Sequence, residues 1–269
     1  MMKQTRREEK RAAKKRKRWA AAPLAMLLAL CAVSGTYIAN TRTAEVVARK
    51  RELPVYSVDR NDNRIAISFD AAWGGDKTKK ILDILDENGI TATFFLVDIW
   101  TQRFPELVQE IAARGHEIGN HSTTHPKMST LSRDKIAQEL ETMSANVEKL
   151  IGKRPTLFRP PYGDYNNDVV TTARGNGYEV IQWSVDSLDW KNKGVQPLID
   201  RATKNVKSGD IVLFHNDSQY IVEALPAVLQ SYREQGLTVG PVSQVLLTGE
   251  TTIDPQGRQH PAATTVPEV

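Results

Sequence analysis

Cysteine is nearly absent from this 269-residue chain: Cys31 is the only one. A single cysteine excludes an intrachain disulfide and a multi-thiolate metal site, and the exported part that follows Cys31 has no cysteine nucleophile. Any metal must then be held by His, Asp or Glu. Histidine is scarce too, with five in the chain, so a pair at ligand spacing carries weight. Basic residues are also thin over most of the sequence, although the formal net charge is +4. Ten Lys or Arg, from Lys3 to Arg18, crowd into residues 3–18 against Glu8 and Glu9, and the rest of the chain holds 26 basic and 30 acidic residues. The body is therefore mildly acidic and lacks the basic footprint of a nucleic-acid binder, so no nucleic-acid partner is expected. No internal repeat is present.

Charge vanishes over Trp19–Ala39, a run of 21 residues. About 20 apolar residues cross a bilayer as a helix, and Lys and Arg stay on the cytoplasmic side. The expectation is a basic cytoplasmic tail at 1–18 and a transmembrane signal anchor at 19–39. That single pass would tie an extracytoplasmic C-terminal domain to the cytoplasmic membrane. A cleaved signal peptide is the competing reading, but its basic region would be unusually long and no clear small-x-small cleavage site follows. Lipidation at Cys31 is disfavoured by Leu30, where a small residue is wanted. Residues 40–60 are polar, mixed in charge and without period, and read as a stalk with a short strand at Val55–Val58. Residues 249–269, rich in Thr, Pro and Gln, read as a disordered tail.

Between them, residues 61–248 alternate short apolar runs with amphipathic stretches. Arg64–Asp70, Ala92–Val97, His116–Asn120, Thr156–Arg159, Tyr178–Val185, Asp210–His215 and Leu237–Val239 read as strands. Helices are expected at Lys77–Asn88, with Asp76 as N-cap, and at Pro105–Arg114, Arg133–Ile151, Asn166–Asn176, Val195–Val206 and Val222–Gln235, several stopped by glycine. Such alternation predicts parallel strands with crossover helices. With about seven units, an α/β fold of the distorted (β/α) barrel type is a better expectation than an open sheet.

Titratable residues sit where these strands end. The first strand ends at Asp70, the third runs into His121 and His125, and others end at Arg159, Asp186 and His215. In a β/α barrel the C-terminal strand ends converge on one mouth, where catalysis sits. The spacing of His121 and His125 puts both imidazoles on one face if they share a helical turn, able to share a divalent cation. A third protein ligand and an open position for water would be expected. As a carboxylate near that cation, Asp70 could take a proton from water; the alternative is a turn cap. His215 could protonate a leaving amine, or be a plain strand-end histidine. Arg159, made rigid by Pro160 and Pro161, could pin a carboxylate, or lie at the surface. Asp186, Asp189 and Trp190 could orient His215 and wall a sugar groove, or form a turn with a packed Trp.

Five segments in this order resemble the polysaccharide deacetylase family (carbohydrate esterase family 4, the NodB-homology domain), over roughly residues 62–248. They are SFD at 68–70, HSTTH at 121–125, RPPYG at 159–163, DSLDW at 186–190 and LFH at 213–215. FDAAWG at 69–74 looks most like the subgroup related to the sporulation deacetylase PdaB. The resemblance implies a distorted barrel that removes acetyl groups from N-acetylglucosamine or N-acetylmuramic acid units of a cell-wall glycan such as peptidoglycan. It implies Asp70 as general base, His215 as general acid, Arg159 holding Asp70, and Asp189 tuning His215. His121 and His125 would hold a divalent metal, Zn2+ first, with Co2+, Ni2+ or Mn2+ as alternatives. The Tyr162 N–H would help bind the oxyanion, and Trp190 and Leu213 would line the acetyl pocket. The family's first motif usually reads F-D-D-G, with its second Asp a metal ligand. Here that position is Ala71. Two histidines and water would then hold the metal, or Asp70 would join them, or Asp76 would reach in, or the metal and catalysis would be lost. A glycan-binding protein without activity and a structural envelope protein are the readings that compete with the enzyme.

Overall fold

The computed structural model describes residues 51–262. The basic tail at 1–18 and the span at 19–39 lie outside them, as does most of the expected stalk. Among the described residues no helix is long and apolar enough to cross a membrane.

Strand β2 (Arg64–Ala71) is the axis of the sheet. Every residue after Arg64 is buried, as a parallel strand covered on both faces requires. It pairs with β3 (Thr93–Leu96), with β8 (Ile211–His215) and, at its start, with β9 (Thr238–Gly240). From β3 the sheet runs through β4 (Glu117–Asn120) and β5 (Leu157–Phe158) to β6 (Glu179–Val180), and beyond β8 lies β7 (Val185–Asp186). Every one of these pairings is parallel. The helices between strands are α1 (Thr78–Glu87), α2 (Asp98–Arg103), α3 (Pro105–Ala113), α4 (Arg133–Ile151), α5 (Asn167–Gly175), α6 (Val195–Thr203), α7 (Ile221–Glu234) and the short α8 (Val242–Val245). This is the α/β, distorted-barrel class that the alternation predicts.

Alternation along β2 divides the interior. Phe69 stacks on Phe94 and Phe214, with centroids 5.0 and 5.5 Å away. Ile81, Leu82 and Leu85 of α1 and Leu225, Val228 and Leu229 of α7 are buried in the same cluster, each contributing roughly 2 kcal/mol. Ala66 packs instead with Val55, Phe95, Ile181 and Ile211 in a smaller apolar cluster. Ser68 and Asp70 follow Ala66 on that face. They leave a polar chamber at the C-terminal end of the sheet.

Three sequence expectations fail here. Tyr178–Val185 is not one strand. It breaks into β6 and β7, which occupy opposite ends of the strand order. Ile181 N–H still donates to Phe158 O at 2.8 Å, whereas Ser184 N–H donates to Ile211 O at 3.0 Å. One stretch therefore faces both edges of the sheet, and it must bend to do so. Val55 is seated at the bend, accepting from Gln182 N–H at 2.7 Å. The end of the supposed stalk is thus part of the barrel.

The disordered tail expected at 249–269 is ordered through its first half. β10 (Thr251–Ile253) and β11 (Arg258–Pro261) form an antiparallel hairpin, and β11 pairs in parallel with β1 (Ser57–Val58). The sequence offers little apolar surface here, and the hairpin is held by charge. Arg258 and His260 both reach Asp59, at 2.8 and 3.1 Å, and His260 also reaches Asp254 at 3.0 Å. Hydrogen bonding to Asp254 and Asp59 raises the pKa of His260, and the same contacts lower those of both aspartates. The His260 contribution is complete below its ordinary pKa and is lost as pH rises through the raised value. The aspartate contributions are complete above the ordinary carboxylate pKa and are lost on acidification. The hairpin amides should therefore exchange slowest between about pH 4 and 6.5, and a His260→Ala chain should lose that dependence on the alkaline side. Hydrogen exchange that is flat across pH 5–8, after correction for intrinsic rates, would contradict this.

Candidate active site

A cavity of about 510 Å³ opens at the C-terminal ends of the strands. Eight residues singled out from the sequence line it: Asp70, His121, His125, Tyr162, Asp186, Trp190, Leu213 and His215. The other two, Arg159 and Asp189, are buried behind the wall. Sequence reasoning missed Ala72, Trp73, Trp183 and Asp217, which also line it. Trp73 and Asp217 each fall just past a strand end, which is a usable signal. Trp183 lies in the stretch read as an unbroken strand, which hid it.

Asp70 ends its run on β2 with its carboxylate in the chamber. Arg159 Nη1 donates to Asp70 Oδ1 at 2.7 Å, and neither side chain is more than 8% exposed. Burial pushes the Asp70 carboxyl up, but the Arg159 guanidinium, helped by His215, overrides burial and holds it below the usual carboxylate range. Arg159 is fixed in turn. Its Nη2 donates to Ser68 Oγ at 2.9 Å and to Gln182 O at 3.2 Å, and its guanidinium lies 4.1 Å from the centroid of the Phe95 ring. The Phe95 ring also packs against Gly119, where an added Cβ would come within 2.4 Å of it.

His215, at the end of β8, is the register partner of Asp70. Asp189 grips it twice: Oδ2 accepts from the His215 N–H and Oδ1 lies 2.7 Å from Nδ1. Burial alone would lower the imidazole pKa, but Asp189 outweighs it and the pKa is raised. Asp186 adds to this rise by its charge only, behind Asp189 and Asp70, and its Oδ1 accepts from the Leu188 N–H at 2.8 Å.

His121 and His125 do come together, with ring centroids 5.0 Å apart, but not on a helical turn. Residues 121–127 form a loop, and Ser122 and His125 both have left-handed backbone, φ 71° and 58°. The i,i+4 spacing meets across a bent loop instead. Among the described residues, five of the seven non-glycine residues with positive φ (Ser122, His125, Tyr162, Leu188 and Asn192) lie in the loops around this mouth. Each costs roughly 1–3 kcal/mol and persists only where its surroundings over-determine it. Tyr162 (φ 60°) follows Pro161 in the RPPYG turn, and its ring meets the His125 ring at 4.5 Å.

The donor set fits a cation held chiefly by the two imidazoles. His121 Nδ1 lies 2.7 Å from Arg159 O. A carbonyl only accepts, so Nδ1 carries the hydrogen and Nε2 presents a lone pair. That lone pair lies 3.5 Å from Asp70 Oδ2, another acceptor. Burial lowers the His121 pKa and keeps the ring neutral, so the two acceptors oppose each other until a positive charge lies nearby. His125 Nδ1 is buried without a hydrogen-bond partner, and burial followed by the neighbouring His121 lowers its pKa to about 4. Ala71 is fully buried in the apolar cluster and offers no ligand. Asp76 is exposed, is not among the cavity-lining residues, and does not cap α1, which starts after Lys77 with no side-chain cap. Among the described residues no group of three or more His, Cys, Asp or Glu is arranged to hold a metal unaided.

Comparison with known proteins agrees with the motifs. Residues 57–181 match the polysaccharide deacetylase family profile. A peptidoglycan-N-acetylglucosamine deacetylase of Bacillus cereus is 39% identical over 71% of this chain and 92% of its own. The peptidoglycan-N-acetylmuramic acid deacetylase PdaA of Bacillus subtilis is 32% identical over 72% of this chain and 76% of its own. A CE4 family pseudoenzyme from Bacillus anthracis superimposes with a TM-score of 0.69 at 32% identity, covering 71% of this chain and 68% of its own. A mutant of that pseudoenzyme, described as having restored enzymatic activity, superimposes equally well, with a TM-score of 0.69.

Proposed function

The chain belongs to the polysaccharide deacetylase family, and from that premise we propose that it hydrolyses the N-acetyl group of N-acetylglucosamine or N-acetylmuramic acid units in a cell-wall glycan such as peptidoglycan. The observation that carries this reading is the pair Asp70 and His215. They are register partners on adjacent strands, one held ionised by Arg159 and the other biased to the protonated form by Asp189. Titratable neighbours whose environments push them towards opposite protonation states make an acid–base couple. Glycan binding alone needs neither.

In this reading Asp70 takes a proton from water as the oxygen adds to the acetamide carbonyl. His215 gives its proton to the departing nitrogen, so acetate and a free amine leave. The Tyr162 N–H faces the developing oxyanion, a donor worth on the order of 3 kcal/mol. Leu213 and Trp190 flank the acetyl methyl, and the faces of Trp73 and Trp183 suit sugar rings. A divalent cation, Zn2+ first among candidates, would be held by His121 and His125 with Asp70 Oδ2 in reach. When bound, it supplies Lewis-acid polarisation of water and carbonyl. The basic residues 3–18 and the uncharged run 19–39 support a domain displayed outside the cytoplasmic membrane.

Ala71 favours a second reading, a glycan-binding protein without activity, and the likeness to a pseudoenzyme keeps that reading in play. The full chain in detergent, given peptidoglycan or chito-oligosaccharides with Zn2+, Co2+, Ni2+ or Mn2+, should release acetate. The His125→Ala chain should release none and bind no cation. Glycan binding without acetate release under every metal would sink the enzyme. Activity that survived His125→Ala would sink the metal role.

A further inference from the structure

The loop carrying the two histidines is gripped by one side chain outside the cavity wall. Glu139 lies on α4. Its Oε2 accepts from the backbone N–H groups of Thr123 and Thr124, each at 2.8 Å. Its Oε1 accepts from the Thr124 hydroxyl at 2.8 Å, and its main-chain carbonyl accepts from the Thr123 hydroxyl at 2.7 Å. These two threonines fill the gap between Ser122 and His125, the left-handed residues of the loop. The opposite side of the loop is tied as well. Asp98 and Ile99 N–H donate to Ser122 O and Thr123 O at 3.0 and 3.3 Å. Asn146, on α4 like Glu139, donates to both carboxylate oxygens of Asp98 at 3.1 and 3.0 Å. Within the loop, the His125 N–H donates to Ser122 Oγ at 3.0 Å.

A backbone in sparsely populated φ/ψ regions relaxes when its supports go. Metal–ligand distances tolerate only about 0.2 Å of error, so a small relaxation at His125 would separate its imidazole from that of His121. Most of the cavity's charged groups bear on the site directly; Glu139 can act only through the loop. We propose that Glu139 is a positioning residue that holds His125 where it can share a divalent cation with His121, and so sets the cation affinity of the site without touching substrate. This rests on the metal-dependent deacetylase reading above.

Conservative replacement separates this role from mere support. In Glu139→Gln the amide oxygen still accepts both N–H groups, and the NH2 donates to the Thr124 hydroxyl. In Glu139→Ala all three side-chain bonds vanish. Metal-stripped full chains would be titrated with Co2+ and followed by absorption, beside kcat and KM on chito-oligosaccharide and metal-free thermal midpoints. Co2+ binding to Glu139→Ala should weaken by roughly 10- to 100-fold, as for other outer partners of metal ligands. Its kcat should fall with KM little changed, and its metal-free midpoint should stay near that of the unaltered chain. Glu139→Gln should stay close to the unaltered chain in all of these. Unchanged Co2+ affinity in Glu139→Ala, with or without a lower midpoint, would overturn the proposal, and so would a Gln variant as damaged as the Ala one. If Glu139→Ala does not fold, Glu139→Asp, which keeps the charge but falls short of the loop, carries the same expectation. An unaltered chain that binds no Co2+ would overturn the metal reading and this inference together. An unaltered chain that binds Co2+ while Glu139→Ala binds it equally would overturn this inference alone.

Discussion

Arg159→Ala will lower the stability of the domain by roughly 3–5 kcal/mol and abolish acetate release. The guanidinium is fully buried, and its one carboxylate partner, Asp70, is almost fully buried. Removing the cation leaves Asp70 charged in the interior with an acceptor, His121 Nε2, at 3.5 Å. Asp70 must then either stay ionised at high cost or take up a proton, and a protonated Asp70 is no base. Stability and activity should therefore fall together. A domain of this size loses roughly 2–4 °C in thermal midpoint per kcal/mol, so the fall should be easily read. A second substitution tests the cause. If the damage is an unpaired buried charge, adding Asp70→Asn to Arg159→Ala should recover part of the stability, although Asp70→Asn alone destabilises. A double variant as unstable as the sum of its parts would show that Arg159 acts by packing on Phe95 instead.

Asp189→Asn should cut kcat on the order of 10²- to 10⁴-fold, the range for losing an aligned general acid, with a smaller effect on folding. Asparagine keeps the shape, and its single amide oxygen can accept from either the His215 N–H or the Trp190 N–H, which Asp189 holds on separate oxygens. What it removes is the negative charge that outweighs burial and raises the His215 pKa. In the proposed reaction His215 serves as the acid only while protonated, so activity should fall as pH rises through its pKa. Without Asp189 that pKa drops, and the alkaline limb of the pH–rate profile should move to lower pH. A profile whose alkaline limb stays put, or a kcat within a factor of about three of the unaltered chain, would remove His215 from the acid role.

Much of this was legible in the sequence, and the parts that were not share a cause. Helix α4 was bounded correctly because its signals are local: Ser132 accepts from the Lys135 N–H at its start, and Gly152 takes φ 71° at its end. The β2 and β8 boundaries were readable from apolar runs that stop at titratable residues. Their adjacency, which pairs Asp70 with His215, was not, because a strand's register partner leaves no mark in its own sequence. The loop geometry of His121 and His125 was misread for a related reason. Spacing of four suits a helix, but Glu139 and Asp98, which lie on other elements, fix a bent loop instead. The terminal hairpin was missed because its support is a set of ion pairs between segments some two hundred residues apart. Asp76 satisfied the rule for a helix cap, yet the chain enters α1 through a turn in which Thr78 N–H donates to Gly75 O at 3.0 Å.

The bend at residues 181–184 joins the two edges of the sheet, much as a buckle joins the ends of a belt. The same few residues also furnish the Gln182 carbonyl that steadies Arg159 and the Trp183 side of the cavity. The link between the two sheet edges, the support of Arg159 beside Asp70 and one wall of the cavity are thereby made one property of one short peptide. Changes there cannot adjust substrate fit while leaving the fold alone, whereas Trp73 and Trp190, on segments outside the buckle and more than half exposed, can vary with little effect on the sheet. Within this architecture, freedom to reshape the groove lies with those segments and not with the bend that links the two sheet edges.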